Sequence, residues 1–372
     1  MKVAVIAAEM EGNATGVGRY LEGLLHGLEL WNHGVEWHLF FQGDPSLRVA
    51  LPDGPYHPHF SRHRGSRVVW EQILASRSVA EARPDVVFGP AYTLPFGLGV
   101  PSVVTIHDLS FEILPREFGL RERWRRRFLA RRAARVARRV LAVSERMAGL
   151  VAAHYGLPKG RVTVVPHGID RQRFSPTPDP ADGHVLADLE VRSPYALWTG
   201  TVLERRLPRQ VLGAFADARR EHPELELVIA GANRMRQPEK LGVWIDDLGL
   251  QGAVRELGWV EESALAPLYR GAELGIYVSR HEGFGLPPVE CLACGTPVVV
   301  STGLGLDDAW PDYPYRVSEP DVASIAKAMN EILSGADRTA EVIAEAGPVI
   351  ATFDWEQSSR RLVAELGRAL SS

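Results

Sequence analysis
Two carboxylates bracket a glycine loop late in the chain: Glu282 and Glu290, with Gly283-Phe284-Gly285-Leu286-Pro287-Pro288-Val289 between them. Leu274 to Ser279 is an apolar run of buried-strand type. Pro287 and Pro288 fit only the first turn of a helix, where a missing N–H costs nothing. Gly295 stands where a C-terminal cap belongs, Pro297 blocks continuation, and Pro297 to Ser301 reads as the next strand. Gly283 and Gly285 let a ligand approach the backbone closely. Helical side chains lean toward the N-terminus, so Glu290 reaches back to the helix end that Glu282 faces. That end, at Gly285 and Leu286, carries free N–H groups and partial positive charge, which suits a phosphate. Carboxylates do not bind phosphate; they accept hydrogen bonds from hydroxyls. Phosphate on the helix end and hydroxyls on two glutamates describe a nucleotide-sugar. The same residues also describe a surface loop with two solvated glutamates.

Other chemistry-bearing groups lie earlier. Ser102 to His107 is a buried strand ending on the polar pair His107 and Asp108. Ligands of open α/β sheets sit beyond the carboxyl ends of strands, so this pair is aimed at a site, unless His107 only satisfies backbone groups. His57-Pro-His59-Phe-Ser-Arg-His63 reads as a loop at the mouth of its domain. With no Cys, Asp or Glu triad nearby it is not read as a metal site, and acceptor contact by His57 and His59 is the expectation. Cys291 and Cys294 are the only cysteines. A structural zinc needs about four ligands, so they read as small buried hydrophobes inside a helix.

The elements that must position these groups alternate along the chain. Strands read at Lys2 to Ala7, Val35 to Phe41, Asp85 to Phe88, Ser102 to His107, Val140 to Ser144 and Arg161 to Pro166, with helical patterns such as Gly16 to Trp31 between most of them. A second series runs at Tyr195 to Thr199, Leu225 to Ala230, Val254 to Leu257, Leu274 to Ser279 and Pro297 to Ser301. Such alternation predicts parallel, doubly wound sheets. The glycine-bearing loop after the first strand opens onto a helix, but Gly16-Val-Gly18 lacks the third glycine of a dinucleotide fingerprint, which disfavours a nicotinamide enzyme. Ser175-Pro-Thr-Pro-Asp-Pro-Ala-Asp-Gly183 reads as a linker. The predicted organisation is 1–174 for the first domain, 175–190 for the linker, 191–350 for the second domain, and 351–372 as a segment returning to the first.

Arg121 to Arg139 holds ten arginines interleaved with Trp124, Phe128, Leu129 and Val136. As a helix it has a basic and an apolar face. It reads either as a solvated helix on the outside of the sheet or as a peripheral contact with an anionic membrane or lipid-linked acceptor.

The string Ser279-x-x-Glu-Gly-Phe-Gly-Leu-Pro-x-x-Glu290-x-x-Ala-Cys-Gly-Thr-Pro-Val-Val resembles glycosyltransferase family 4, whose E-x7-E motif it carries. Further ordered matches span most of the chain. Thr15-Gly-Val-Gly18-Arg19-Tyr resembles the family's first loop, which faces the diphosphate and acceptor. Ile106-His107-Asp108 resembles the segment that contacts the transferred sugar. Val164-Val-Pro-His-Gly-Ile-Asp170 resembles the closing segment of the first domain. Gly200-Thr-Val-Leu-Glu-Arg205-Arg206-Leu-Pro-Arg209 resembles the cationic donor segment, one residue short and with Arg206 best matching the usual lysine. Gly258-Trp-Val260-Glu261 resembles the loop that holds the base, and Phe353-x-Trp355 the C-terminal crossover.

The resemblance implies the GT-B fold, two Rossmann-like domains facing across a cleft, and a retaining transfer of a hexose from a nucleotide diphosphate sugar to a hydroxyl of a glycan or lipid-linked acceptor. Glu282 is then expected to hold the sugar hydroxyls, Glu290 the ribose, and Arg205, Arg206 and the helix end the leaving diphosphate. Gly18, Val260, Gly283 and Phe284 complete the expected donor contacts; His107 touches the sugar, and Arg19, His57, His59 and Asp108 are acceptor candidates. Bacterial mannosyltransferases of surface polysaccharide pathways look most similar, which makes GDP-mannose the first donor expectation. No D-x-D pair follows a strand where the cleft is expected, and arginines supply the positive charge, so neither a metal nor another cofactor is expected.

Composition sets the outer limits. The 372 residues are 45% hydrophobic and 24% charged with a net charge of −4, and nothing in that balance calls for nucleic acid. The first residues enter a strand without a signal-like segment, and no apolar run approaches the ~20 residues of a membrane span. A cytoplasmic chain, at most peripheral on the inner membrane face, is the expectation. Two other classes fit the same motifs: a nucleotide-sugar epimerase of the same fold, which would convert donor without acceptor, and a non-catalytic nucleotide-sugar-binding protein.

Overall fold
The structure, a computed structural model, describes residues 1–12, 15–31, 34–43, 51 and 54–371. The chain forms two compact units, Met1–Gly168 with Phe353–Ser372, and Ile169–Thr352. Residues 13 and 14 of the expected glycine-bearing loop lie outside the described residues.

Among the described residues of the first unit seven strands run parallel: β1 (Lys2–Ile6), β2 (Glu36–Phe41), β3 (Tyr56–Phe60), β4 (Val86–Gly89), β5 (Ser102–Ile106), β6 (Arg139–Ala142) and β7 (Val162–Val164), in the order β3-β2-β1-β4-β5-β6-β7. β1, β4 and β5 are buried almost throughout and mostly Val, Ile, Ala and Phe, as strands covered on both faces must be. The order reverses between β1 and β4, so the loops after these strands part and leave a crevice at their carboxyl ends.

On one face the Gly16–Glu29 helix packs against the Trp355–Ser371 helix. A Cβ at Gly23 would stand 2.1 Å from the Trp355 ring, and one at Gly27 2.3 Å from the Trp355 carbonyl oxygen. Two glycines one helical turn apart therefore let the helices approach to backbone contact. Ser359 Oγ donates to the Leu24 carbonyl at 2.7 Å. Arg139 donates to the buried Glu365 at 2.5 Å, tying this helix to β6.

The second unit has six parallel strands: β8 (Tyr195–Thr199), β9 (Glu226–Ala230), β10 (Val254–Gly258), β11 (Leu274–Tyr277), β12 (Val298–Ser301) and β13 (Arg316–Val317), in the order β10-β9-β8-β11-β12-β13. Its switch point lies between β8 and β11. Each unit is thus a doubly wound parallel α/β layer structure of the kind the alternation predicts.

Two expectations are corrected. Of the stretch from His57 to His63, read as a loop, His57 to Phe60 belong to the edge strand β3. Pro58 hid it, yet an edge strand has one side where a missing N–H costs no ladder bond. The stretch 175–190, read as a linker, lies inside the second unit and holds the Asp182–Asp188 helix. Asp182 accepts two 2.6 Å bonds from the Arg270 guanidinium, a bidentate pair that fixes the segment to its unit.

Candidate functional site
In the second unit, β8 ends at Thr199 and the chain turns through Gly200 at φ +94°. Only glycine fits here: an added Cβ would lie 2.2 Å from Arg206 Nη1. The space so left is filled by the Arg206 guanidinium, which donates from Nε to Glu282 at 3.0 Å, from Nη1 to the Thr201 carbonyl at 3.1 Å and from Nη2 to the Tyr277 hydroxyl at 2.8 Å. It also stacks over the Tyr277 ring, 4.8 Å from the centroid. Burial works against its charge, but Tyr277 and Glu282 outweigh burial and hold Arg206 firmly protonated. Arg205 adds a second cation, its Nε 3.6 Å from Glu282 Oε1. The loop after β8 and the loop after β11 therefore meet at one carboxylate, flanked by two arginines.

The Glu282 loop is built as its glycines and prolines require. Ser279 N donates to Ser301 Oγ, and Ser301 Oγ donates back to the Ser279 carbonyl, both at 2.9 Å, locking the end of β11 to β12. Gly285 caps the Leu286–Ala293 helix at φ +81°, with Pro287 and Pro288 in its first turn. A Cβ at Gly285 would press on Tyr277 at 3.1 Å and Leu304 at 3.2 Å. One turn inside, Glu290 is 3% exposed and its Oε2 accepts from the Tyr269 hydroxyl at 2.9 Å. Burial, then the Glu290 charge, push the Tyr269 phenol well up, so it stays a donor. Glu282 is 9% exposed. Two solvated surface glutamates are thereby ruled out. Cys291 packs against Gly275, and burial raises both thiols, that of Cys294 to about 12, which keeps them protonated core side chains.

The first unit carries its own cluster at its switch point. Thr15 caps the Gly16–Glu29 helix by accepting from Gly18 N at 3.0 Å, and Arg19 follows. His107, just past β5, lies 2.6 Å by its Nε2 from the Pro90 carbonyl beyond β4. A carbonyl only accepts, so Nε2 carries the proton and Nδ1 is left as an acceptor. Burial lowers the His107 pKa to about 4, so the ring is neutral near pH 7. Tyr20 meets His107 edge-on with centroids 4.9 Å apart and contacts His167 at the same separation. His167 is held neutral by burial, with the nearby positive charge of Arg19 adding to the effect.

The structure thus brings Arg205, Arg206, Glu282, Gly283, Phe284, Gly285, Leu286 and Glu290 together in the second unit, and Gly18, Arg19 and His107 together in the first. Val260 lies in the loop after β10, beside the half-exposed Trp259. Asp108 accepts from Ser110 N at 2.9 Å and Ser110 Oγ at 2.7 Å, so Oδ1 is engaged in starting the Ser110–Ile113 helix. His57 and His59 lie along β3, not in a mouth loop, and their assignment to an acceptor loses its premise. Tyr269 and Tyr277 were not singled out from sequence. The tyrosines carry no local motif, and their partners stand 21 and 71 residues away in sequence.

The Leu120–Val136 helix buries Leu129, Ala130, Ala133 and Ala134. On its other side Leu120, Trp124 and Phe128, spaced four apart, are 61–70% exposed among the arginines. Among the described residues, no helix is long and apolar enough to cross a membrane.

Residues 14–173 match the model of Glycosyltransferase Family 4, and residues 188–348 match that of Glycosyl transferases group 1. A D-inositol 3-phosphate glycosyltransferase of Thermobispora bispora is 32% identical over 225 residues, covering 58% of this chain and 52% of the relative. One of Salinispora tropica is 30% identical over 249 residues, covering 63% and 52%. The chain spans about half the length of these curated relatives. Among solved structures, sucrose-phosphate synthase from Thermosynechococcus elongatus superposes with a TM-score of 0.77 at 18% identity, over 99% of this chain and 98% of that one. HepE of Anabaena, solved with UDP and glucose, superposes with a TM-score of 0.75 at 17% identity, over 98% and 99%. Each of the two parallel-sheet units is thus matched by a glycosyltransferase domain model, and the fold is that of the GT-B glycosyltransferase structures on which the chain superposes.

Proposed function
We propose that this chain is a retaining glycosyltransferase that moves a hexose from a nucleotide diphosphate sugar to a hydroxyl acceptor. The observation that carries the reading is the Arg205–Arg206–Glu282 cluster beside the N-terminus of the Leu286–Ala293 helix. Departure of a nucleoside diphosphate develops negative charge on its phosphate. Fixed cations and backbone N–H groups aimed at that charge lower the barrier without reorganising when it appears. Arg206 uses three protein acceptors to hold its guanidinium in place, and the N–H groups at the helix start supply the remaining donors. Glu282 accepts from hydroxyls of the sugar, and Glu290, steadied by Tyr269, from the ribose. His107, neutral and with Nδ1 free of the Pro90 bond, accepts from a hydroxyl of the transferred sugar. No metal is required in this scheme, because the arginines carry the countercharge.

GDP-mannose and a glycan or lipid-linked acceptor are the first reading of the substrates. A second reading comes from the relatives: the curated ones are named for D-inositol 3-phosphate, and HepE was solved with UDP-glucose. It gives UDP-glucose as donor and a phosphorylated polyol as acceptor. The exposed Leu120, Trp124 and Phe128 among arginines support docking on an anionic bilayer, where a lipid-linked acceptor would lie.

The test is a thermal-shift series with GDP-mannose, UDP-glucose and their free diphosphates, followed by NMR of the products formed with acceptor extracts. A donor that raises Tm and is consumed only with acceptor, with the anomeric configuration kept, is the expected result, unchanged by EDTA. Donor conversion without acceptor would make the chain an epimerase. Binding without conversion would make it a sensor.

A further inference from the structure
The edge of the first sheet gathers one carboxylate and three imidazoles on a single face. β2 and β3 pair in parallel with His38 opposite His57 and Phe40 opposite His59. Side chains two apart on a strand share a face, so Glu36, His38, His57 and His59 stand side by side. His38 Nε2 lies 2.7 Å from Glu36 Oε1, and His57 Nε2 lies 3.5 Å from the same oxygen. Ligand atoms of these three residues all fall within 4.8 Å of one another. The rings of His38 and His57 are stacked, with centroids 4.7 Å apart and planes 29° from parallel, which brings both Nε2 atoms to one side. Behind them, His59 stacks on Phe40 at 4.6 Å and places its Nε2 2.8 Å from His38 Nδ1. Lys2 Nζ stands 3.8 Å from Glu36 Oε1 and is itself held by the Ala82 carbonyl at 3.2 Å.

We infer that Glu36, His38 and His57 form a binding site for one divalent transition-metal ion of the zinc class. Two imidazole nitrogens and a carboxylate oxygen are borderline donors, which suit Zn2+ and its neighbours over Mg2+ or Ca2+. With bonds of about 2.0–2.2 Å, the donors of a tetrahedral zinc site stand roughly 3.3 Å apart, so small side-chain rotations complete the geometry. His38 would bind through Nε2 and give its Nδ1–H to His59, the outer hydrogen bond that metal-bound histidines use to fix their tautomer. The His57 side chain is 50% exposed, which leaves an entry path and a fourth position for water.

The site is separate from the proposed transfer chemistry. Glu36 begins β2, whereas His107 follows the last residue of β5, so in a parallel sheet they belong to opposite ends. Its effect is to clip the edge strand β3 to β2, its one neighbour in the sheet among the described residues. It does not depend on which donor or acceptor the chain uses.

The test is calorimetric titration of ZnCl2 into the chelator-treated full chain, with melting curves in parallel. The expected result is one saturable ion per chain and a rise in Tm. Glu36→Gln with His57→Ala should remove that site, and His59→Ala should weaken it about 10–100-fold, as loss of an outer partner does. His26→Ala, on an exposed helix face, should bind as the wild type does. Both ligand changes are at half-exposed side chains; should the double variant melt early, His57→Gln alone must still lose the site. Zinc binding equal in wild type and His57 variants, or no saturable binding at all, overturns the inference.

Discussion

Arg206 Nε and Glu282 Oε1 stand 3.0 Å apart, joining the loop after β8 to the loop after β11 across the switch point of the second sheet. Their side chains are 11% and 10% exposed. Removing one partner of such a pair strands the other charge in a dry place, which costs about 3–5 kcal/mol. Arg206→Met should lower unfolding free energy by that order in a urea titration. It should also cut turnover by about 10²–10³, the loss seen when one transition-state donor is removed. Arg206→Lys keeps the charge but not the fork that reaches Thr201 and Tyr277. Stability should recover in part and turnover should not. Full turnover in the lysine variant would show that charge alone matters here.

Gly200 offers the same conclusion from the backbone side. Gly200→Ala places a methyl 2.2 Å from Arg206 Nη1 at a φ of +94°, so the guanidinium must leave its seat. The expected outcome is weakened donor-induced stabilisation in a thermal-shift series, with the arginine still present. Wild-type donor response would mean that the Arg206 position is not what the donor reads.

His107 and His167 predict how stability depends on pH. Burial depresses both pKa values, that of His107 to about 4, so the folded chain binds fewer protons than the unfolded chain below about pH 6.5. Stability is therefore fully present above pH 6.5 and falls as pH drops toward 4, by up to ~1.4 kcal/mol per pH unit for each histidine. Urea unfolding from pH 7 to pH 4.5 should show that slope, and His107→Gln should reduce it. If the slope is unaltered in the variant, the folded histidine does not resist protonation. His107→Ala should also lower kcat about 10²-fold at neutral pH.

The exposed row on the Leu120–Val136 helix is tested by flotation on liposomes. Wild-type chain should float with vesicles containing anionic lipid and stay behind with neutral ones. Trp124→Ser with Phe128→Ser should abolish flotation while leaving the melting temperature near wild type, because both side chains are more than 60% exposed. Equal flotation of the variant would assign the helix to solvent.

Much of the second unit's site was legible because local backbone chemistry fixes it. Pro287 and Pro288 can only open a helix and Gly285 and Gly295 can only bound it, so the placement of Glu282 and Glu290 followed from a dozen residues. Burial of those glutamates was not legible, because it comes from Tyr269, Tyr277 and Arg206, brought in from other strands. Strand β3 was misread for the opposite reason. Its composition, Tyr-His-Pro-His-Phe, looks like a loop until the sheet order shows that it has a free edge. The His cluster was invisible for the same cause: Glu36 and His38 lie some twenty residues from His57, and only the parallel register aligns them. The Pro-rich run near 175–190 mimicked a linker because nothing local announces that Asp182 will find Arg270.

The contact of Gly23 and Gly27 with Trp355 has a consequence for how the chain is made. A ribosome delivers sequence in order, and domains fold as they emerge. The second unit, 169–352, is inserted within the first, so all its residues leave the ribosome before Trp355 does. The first unit must wait, its glycine-lined helix uncovered, until the Trp355–Ser371 helix is released. Nascent chains halted before residue 353 should therefore present a finished second unit beside a first unit still open to proteases and chaperones.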